Sequence, residues 1–79
     1  MIRIVFLGKL ADLAMNDTAE VAGPLDWDGL LATMPPAVAE QLGEERVHVA
    51  VNSAVLTDKT SLAAQDGDEI ALLPPVSGG

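Results

Sequence analysis

The stretch IRIVFLG, residues 2–8, decides how the rest of the chain is arranged. It is rich in β-branched and aliphatic side chains, which suit a pleated, buried surface, so residues 2–7 read as a strand. Alternation puts Ile2, Ile4 and Phe6 on one face and Arg3, Val5 and Leu7 on the other. Both faces carry apolar side chains, so the strand is expected to be central, with something covering each side. One other stretch shares that character: IALL, residues 70–73, which reads as the last strand. Two such strands belong side by side in the middle of a sheet, and they are placed there as parallel neighbours.

Working outward, KLADLAM (9–15) contains helix formers and predicts a short turn of helix. Asn16 and Asp17 suit a turn, and residues 18–21 a short second strand. Asp26 is a fitting N-cap for a helix over 27–34, whose stripe of Trp27, Leu30, Leu31 and Met34 has helical spacing. A stripe of that kind means burial, so Trp27 is read as a packing residue rather than a ligand platform. Pro36 opens a second short helix, where its missing N–H costs nothing, and Gly43 stops it. RVHVAVN (46–52) alternates as a half-buried strand, with Val47, Val49 and Val51 on one face and His48, Ala50 and Asn52 on the other. Asn52 and Ser53 form a turn into a brief strand over 54–56, and QDGDE (65–69) is the strongest turn signal, with Asp66-Gly67 suited to positive φ. This order predicts an α+β domain with one mixed sheet clasping a helix, first and last strands central and parallel. That is the β-grasp, or ubiquitin-like, arrangement, assigned to residues 1–73, with 74–79 as an extended tail.

Composition narrows the classes of function. Seventy-nine residues allow one domain, and the absence of cysteine removes both disulfides and thiolate metal ligands. Apolar content is 49%, yet Phe6 and Trp27 are the only aromatics, so the core is aliphatic. Net charge is −8, twelve acidic residues against Arg3, Lys9, Arg46 and Lys59, which argues against nucleic acid and anionic membrane surfaces as partners. The acidity either serves solubility alone or steers the protein toward basic partners. No run approaches the ~18 apolar residues of a membrane helix. The opening MIRIVFLGKL lacks a signal-peptide cleavage site, so a cytoplasmic protein is expected.

The chain carries no active-site constellation of its own. There is no Gly-rich phosphate loop, no nucleophile elbow, and a single histidine. His48 is read as a surface strand residue, since nothing around it completes a metal site. Asp26 with Asp28, and Asp66 with Asp68, resemble paired carboxylates but sit where a helix start and a turn need acceptors.

The ending LLPPVSGG (72–79) is different. Small residues at an end can be mere fraying. Against that, Pro74 and Pro75 fix φ and hold the chain extended, and the sequence then changes to residues with almost no side chain. A stiff stalk followed by a thin tip makes a probe. Its six residues reach roughly 20 Å at ~3.3 Å each, enough to enter a partner's active site. Gly79 supplies an α-carboxylate, ionised at neutral pH and a poor acyl donor. Attack on the α-phosphate of ATP gives an acyl-adenylate, from which sulfur can displace AMP. Two glycines let the backbone thread a narrow channel.

The opening IRIVFLGKLADLA, the VAVN of 49–52, the DGDE of 66–69 and the terminal LLPPVSGG together resemble the small, sulfur-carrying subunits of molybdopterin synthase, over essentially the whole chain. DGDE followed by LLPPVSGG is the specific part, since a terminal Gly-Gly is common to ubiquitin-like carriers. The resemblance implies that an adenylating, E1-like enzyme consumes ATP to activate Gly79, and that a sulfur donor converts it to a thiocarboxylate. The tail, through Pro74, Pro75, Val76, Ser77 and Gly78, then enters the large subunit of a heterotetramer and donates sulfur to cyclic pyranopterin monophosphate in molybdenum cofactor biosynthesis. It implies a docking surface at Leu7 and Leu73, no cofactor bound by this chain, and no catalysis by the chain alone. Many relatives carry aromatics where Leu7 and Leu72 or Leu73 stand, and a basic residue where Ala11 stands, so this surface departs from the pattern in its anchors. The alternatives are a sulfur carrier of another pathway (thiamine or cysteine synthesis), a ubiquitin-like protein modifier joined through Gly79 to lysines, and an interaction domain with an idle tail.

Overall fold

The computed structural model describes residues 1–75. In order, its elements are β1 (Ile2–Phe6), α1 (Lys9–Ala14), β2 (Thr18–Val21), β3 (Leu25–Asp26), α2 (Trp27–Thr33), α3 (Pro36–Leu42), β4 (His48–Val51), β5 (Ala54–Val55), a 3-10 turn (Lys59–Ser61), β6 (Ala63–Ala64) and β7 (Glu69–Leu73). Five strands form one sheet in the order β2-β1-β7-β4-β5. β1 and β7 are parallel central neighbours, as expected, in the register Ile4↔Ile70 and Phe6↔Leu72. The fold is the mixed-sheet β-grasp.

Alternation decides which face of each strand is covered. Ile2, Ile4, Ile70, Leu72 and Val49 are fully buried, and Phe6 is nearly so. Against them pack Leu10 of α1, Leu30 of α2, and Val38 and Leu42 of α3, all at 0–1% exposure. Each such side chain contributes roughly 1.5–3 kcal/mol by leaving water. The α2 stripe is as expected: Leu30 and Met34 are buried, while Trp27 and Leu31 flank them half-exposed. Trp27 also lies under Lys59, whose Nζ stands 5.8 Å from the ring centre and donates to the carbonyls of Val47 and Glu44. The second face of β1 departs from expectation. The helices cover only the Ile2 side, and Val5, Ala71 and Leu73 stay half-buried on a sheet face that no described element covers.

Several boundaries move for local reasons. β1 stops at Phe6 because the Leu7 carbonyl accepts from the Leu10 N–H (3.0 Å), turning the chain into α1. Arg46 and Val47 precede β4 rather than joining it. The Val47 N–H is used by the Glu44 carbonyl (3.1 Å), although the side chain remains fully buried. At the other end Asn52 and Ser53 both take left-handed conformations (φ 50° and 72°), which match the twist of the β4–β5 hairpin. Gly43 ends α3 in a right-handed conformation, so its lack of a side chain is not what stops the helix. In QDGDE only Gly67 adopts positive φ (96°). β3 and β6, a two-residue ladder pairing Leu25 with Ala64 and Asp26 with Ala63, left no periodic trace in the sequence.

The acidic pairs serve structure. Asp26 Oδ1 caps α2 by accepting from the Gly29 N–H (2.8 Å). Asp66 Oδ1 accepts from the Gly23 N–H (2.7 Å) and lies 3.4 Å from the Met1 ammonium. Asp68 accepts from the Gln65 N–H (2.9 Å) and the Asn52 amide (3.0 Å). The Gly23 and Gln65 amides are the main reason the carboxyls of Asp66 and Asp68 are held below the usual carboxylate range. A carboxylate with a depressed folded pKa stabilises above its unfolded pKa of about 3.9, and that contribution fades as pH falls through the folded value. The urea midpoint should therefore fall with pH below about 4. Asp66→Asn and Asp68→Asn should flatten that descent, and an unchanged slope in the double variant would remove the two groups as its cause. Leu72→Ala should cost about 2–5 kcal/mol by opening a cavity at the sheet centre, read from the same titrations with the m-value unchanged.

Candidate functional site

The root of the tail is fixed by the meeting of two chain segments distant in sequence. β7 is paired on both sides, to β1 as far as Leu72 and to β4 as far as Leu73. Pro74 follows half-buried and Pro75 exposed. The Pro74 ring rests against Gly8, where an added Cβ would come 3.2 Å from Pro74 Cγ. Gly8 also has φ 52° and ψ −128°, a conformation essentially closed to side-chain-bearing residues. Glycine is needed there twice over, for the sharp entry into α1 and for the approach of the proline. Val76, Ser77, Gly78 and Gly79 lie outside the described residues.

The uncovered sheet face grades toward that root. Cross-strand register aligns Thr18, Val5, Ala71, Ala50 and Val55 in one row across all five strands. One step toward the root, just past the pair Phe6↔Leu72, stand Leu7 and Leu73, with His48 opposite Leu73. In the other direction the row is charged: Glu20, Arg3 and Glu69. Leu7 is 39% exposed and Val55 58%, whereas Ala50 is only 4% exposed between its neighbours. The structure thus brings Leu7, Leu73, Pro74 and Pro75 to one end of the sheet, and His48 is an exposed strand residue beside them.

Polar groups border the same root. A cleft is lined by Gly8, Lys9, Leu10, Gln41, Arg46, Pro74 and Pro75. Arg46 also borders a second depression with Glu45, His48 and the two prolines. Nothing in the amino-acid pattern marks Gly8, Lys9 and Arg46 as neighbours, since the pairing of β7 with β1 on one side and β4 on the other unites them. The G in FLGKL, directly after a strand, was the one available signal for Gly8. Among the described residues no group of three or more His, Asp or Glu side chains is placed to hold a metal ion, and no helix is long and apolar enough to cross a membrane.

Known proteins share this architecture from end to end. The crystal structure of SAMP1 from Haloferax volcanii superposes with a TM-score of 0.73 at 27% identity, covering 99% of this chain and 98% of that one. A complex of subunits 1 and 2 of molybdopterin-converting factor from Helicobacter pylori contains a chain of the same fold, with a TM-score of 0.66 at 23% identity and coverage of 99% and 97%. The molybdopterin synthase sulfur carrier subunit of Escherichia coli K12 is 30% identical over an 83-residue alignment that spans both chains completely. Residues 4–79, the tail included, match the ThiS family. The chain belongs to the ThiS family of ubiquitin-like sulfur carriers.

Proposed function

We propose that this protein is the sulfur-carrier subunit of a molybdopterin synthase and that Gly79 is its working group. The observation that carries the reading is the extent of the family match. It runs through the tail to residue 79, in a chain that aligns over its full length with a named molybdopterin synthase carrier. The body supports the reading by what it fixes: Pro74 is seated on Gly8, which gives the tail a rigid base.

The chemistry then belongs to enzymes that receive the tail. An adenylating enzyme joins the Gly79 carboxylate to the α-phosphate of ATP with release of pyrophosphate. A sulfur donor displaces AMP to leave a thiocarboxylate. The large subunit takes the tail and passes the sulfur to cyclic pyranopterin monophosphate. Leu7 and Leu73, with Val5 and Ala71 behind them, provide the apolar surface on which the large subunit docks, beside Pro74 and Pro75. Removing Gly78 and Gly79 should abolish restoration of molybdenum-enzyme activity in a strain lacking its own carrier, while the urea midpoint stays unchanged. Intact mass of the full chain from its native host should show one oxygen exchanged for sulfur at the C-terminus. Full activity of the truncated chain would end the proposal. Leu73→Asp should weaken binding to the large subunit at least tenfold, about 1.4 kcal/mol, by burying an unpaired charge at the contact. An unchanged Kd removes Leu73 from the surface.

A second reading has its own support. Likeness to SAMP1 at 27% identity and TM-score 0.73 is likeness to a protein whose family name is small archaeal modifier. A modifier uses the same activated Gly79 but delivers it to lysine amines. High-mass conjugates in native cells, lost on deleting Gly79, would favour it.

A further inference from the structure

We propose that Lys9 and Arg46 form a cationic collar around the root of the tail, which pairs with carboxylates rimming the channel of the adenylating enzyme. The proposal rests on activation of Gly79 as read above, and not on the pathway that the sulfur later serves. The whole chain has twelve acidic residues and four cations among Lys and Arg. Two of those four, Lys9 and Arg46, line the cleft beneath Pro74 and Pro75, and Arg46 borders the prolines on a second side as well. Of the twelve acids, only Glu45 lines either depression. Both cations are exposed, and neither is in an ion pair among the described residues. Both therefore stand open to solvent beside the root, where cations outnumber acids although the chain as a whole is strongly acidic.

Geometry selects the class of partner. Four residues follow Pro75, and at ~3.6 Å each they reach at most about 14 Å, so a protein that holds Gly79 in its active site must bring its channel mouth against the root. A small anion bound at Gly79 can stand as much as about 14 Å from the root and needs no contact there. Nucleic acid and anionic bilayers are repelled by the net charge of −8. A protein rim bearing carboxylates meets the collar while the apolar row through Leu7 and Leu73 meets a neighbouring surface. Charge at such a rim fixes register and speeds encounter more than it adds affinity. Its loss therefore shows in the recognition of the carrier rather than in the chemical step.

The test is ATP–pyrophosphate exchange by the adenylating enzyme of the same organism, with the full-length chain as substrate. For Lys9→Glu/Arg46→Glu the KM for the carrier should rise at least tenfold with kcat at saturation unchanged, and Lys9→Arg/Arg46→Lys should restore it. The rise should shrink as ionic strength increases, since exposed pairs are screened. A urea titration of each variant separates this from unfolding. If the wild-type chain is adenylated and the doubly reversed variant keeps its KM within twofold, the collar is wrong and the tail reading stands. If the wild-type chain is not adenylated at all, the tail reading fails and the collar falls with it.

Discussion

Parallel pairing of β1 with β7 is the constraint from which the rest of the molecule follows. It sets both strands running in the same direction, so the end of β7 emerges at the edge where β1 turns into α1. Only then can Pro74 meet Gly8, and only then do Lys9 and Leu7 become neighbours of the tail. An antiparallel pairing would release the tail at the opposite edge, beside Arg3 and Glu20. Beyond the backbone ladder, the pairing is held by burial rather than by polar side chains. Ile4 against Ile70 and Phe6 against Leu72 form its inner face, and no polar or charged side chain is buried among the described residues. Because β7 is bonded to β4 on its other side, the tail is anchored to the middle strand of the sheet.

That central pairing was legible because it has a compositional cause. Strands that are apolar on both faces are uncommon, and here there are two of them, near opposite ends of a short chain. The helices and hairpins followed from equally local chemistry: Asp26 before a helical stripe, Pro36 in a first turn, Asn52-Ser53 between two apolar runs. What escaped has a different origin. The β3–β6 ladder is two residues long and carries no period to detect. Val47 keeps its burial while losing its place in the strand, since its N–H goes to Glu44, and side-chain pattern says nothing of that. The candidate site divides in the same way. Leu7 and Leu73 were visible as members of alternating faces, whereas Gly8 under Pro74 and Arg46 beside Pro75 are products of tertiary pairing alone.

The uncovered sheet face also bears on function through what the chain leaves undone. A short chain has limited means of covering surface, and here α1, α2 and α3 are all spent on the inner face. The outer face solves the resulting exposure with small or half-buried residues, Val5, Ala71 and Ala50, in its central row. Among the described residues, leucines appear on this face only toward the root, at Leu7 and Leu73, while Val5 and Val55 stand in the central row. A face that needed only to be soluble has no reason for that polarity along the strands. A face that must be covered from one end has such a reason, and it is the end from which the tail departs.

A tail of this kind cannot choose its own partners. Gly78 and Gly79 have no side chains with which one channel could distinguish this carrier from another, and the stalk before them offers two prolines, a valine and a serine. On the proposed reading, discrimination therefore falls to the body, within a short distance of the root. Two kinds of contact are available there, and they act on different quantities. Apolar anchors govern how long a complex lasts, and leucines supply less buried area than the 150–250 Å² of an aromatic side chain. Charges such as Lys9 and Arg46 govern how readily the right orientation is found. A carrier that must leave an activating enzyme before it can serve a second one gains from fast, oriented encounter joined to modest anchors. If Gly79 is the reacting group as proposed, substitution at Leu7, Leu73, Lys9 or Arg46 would retune partner choice and leave its chemistry the same.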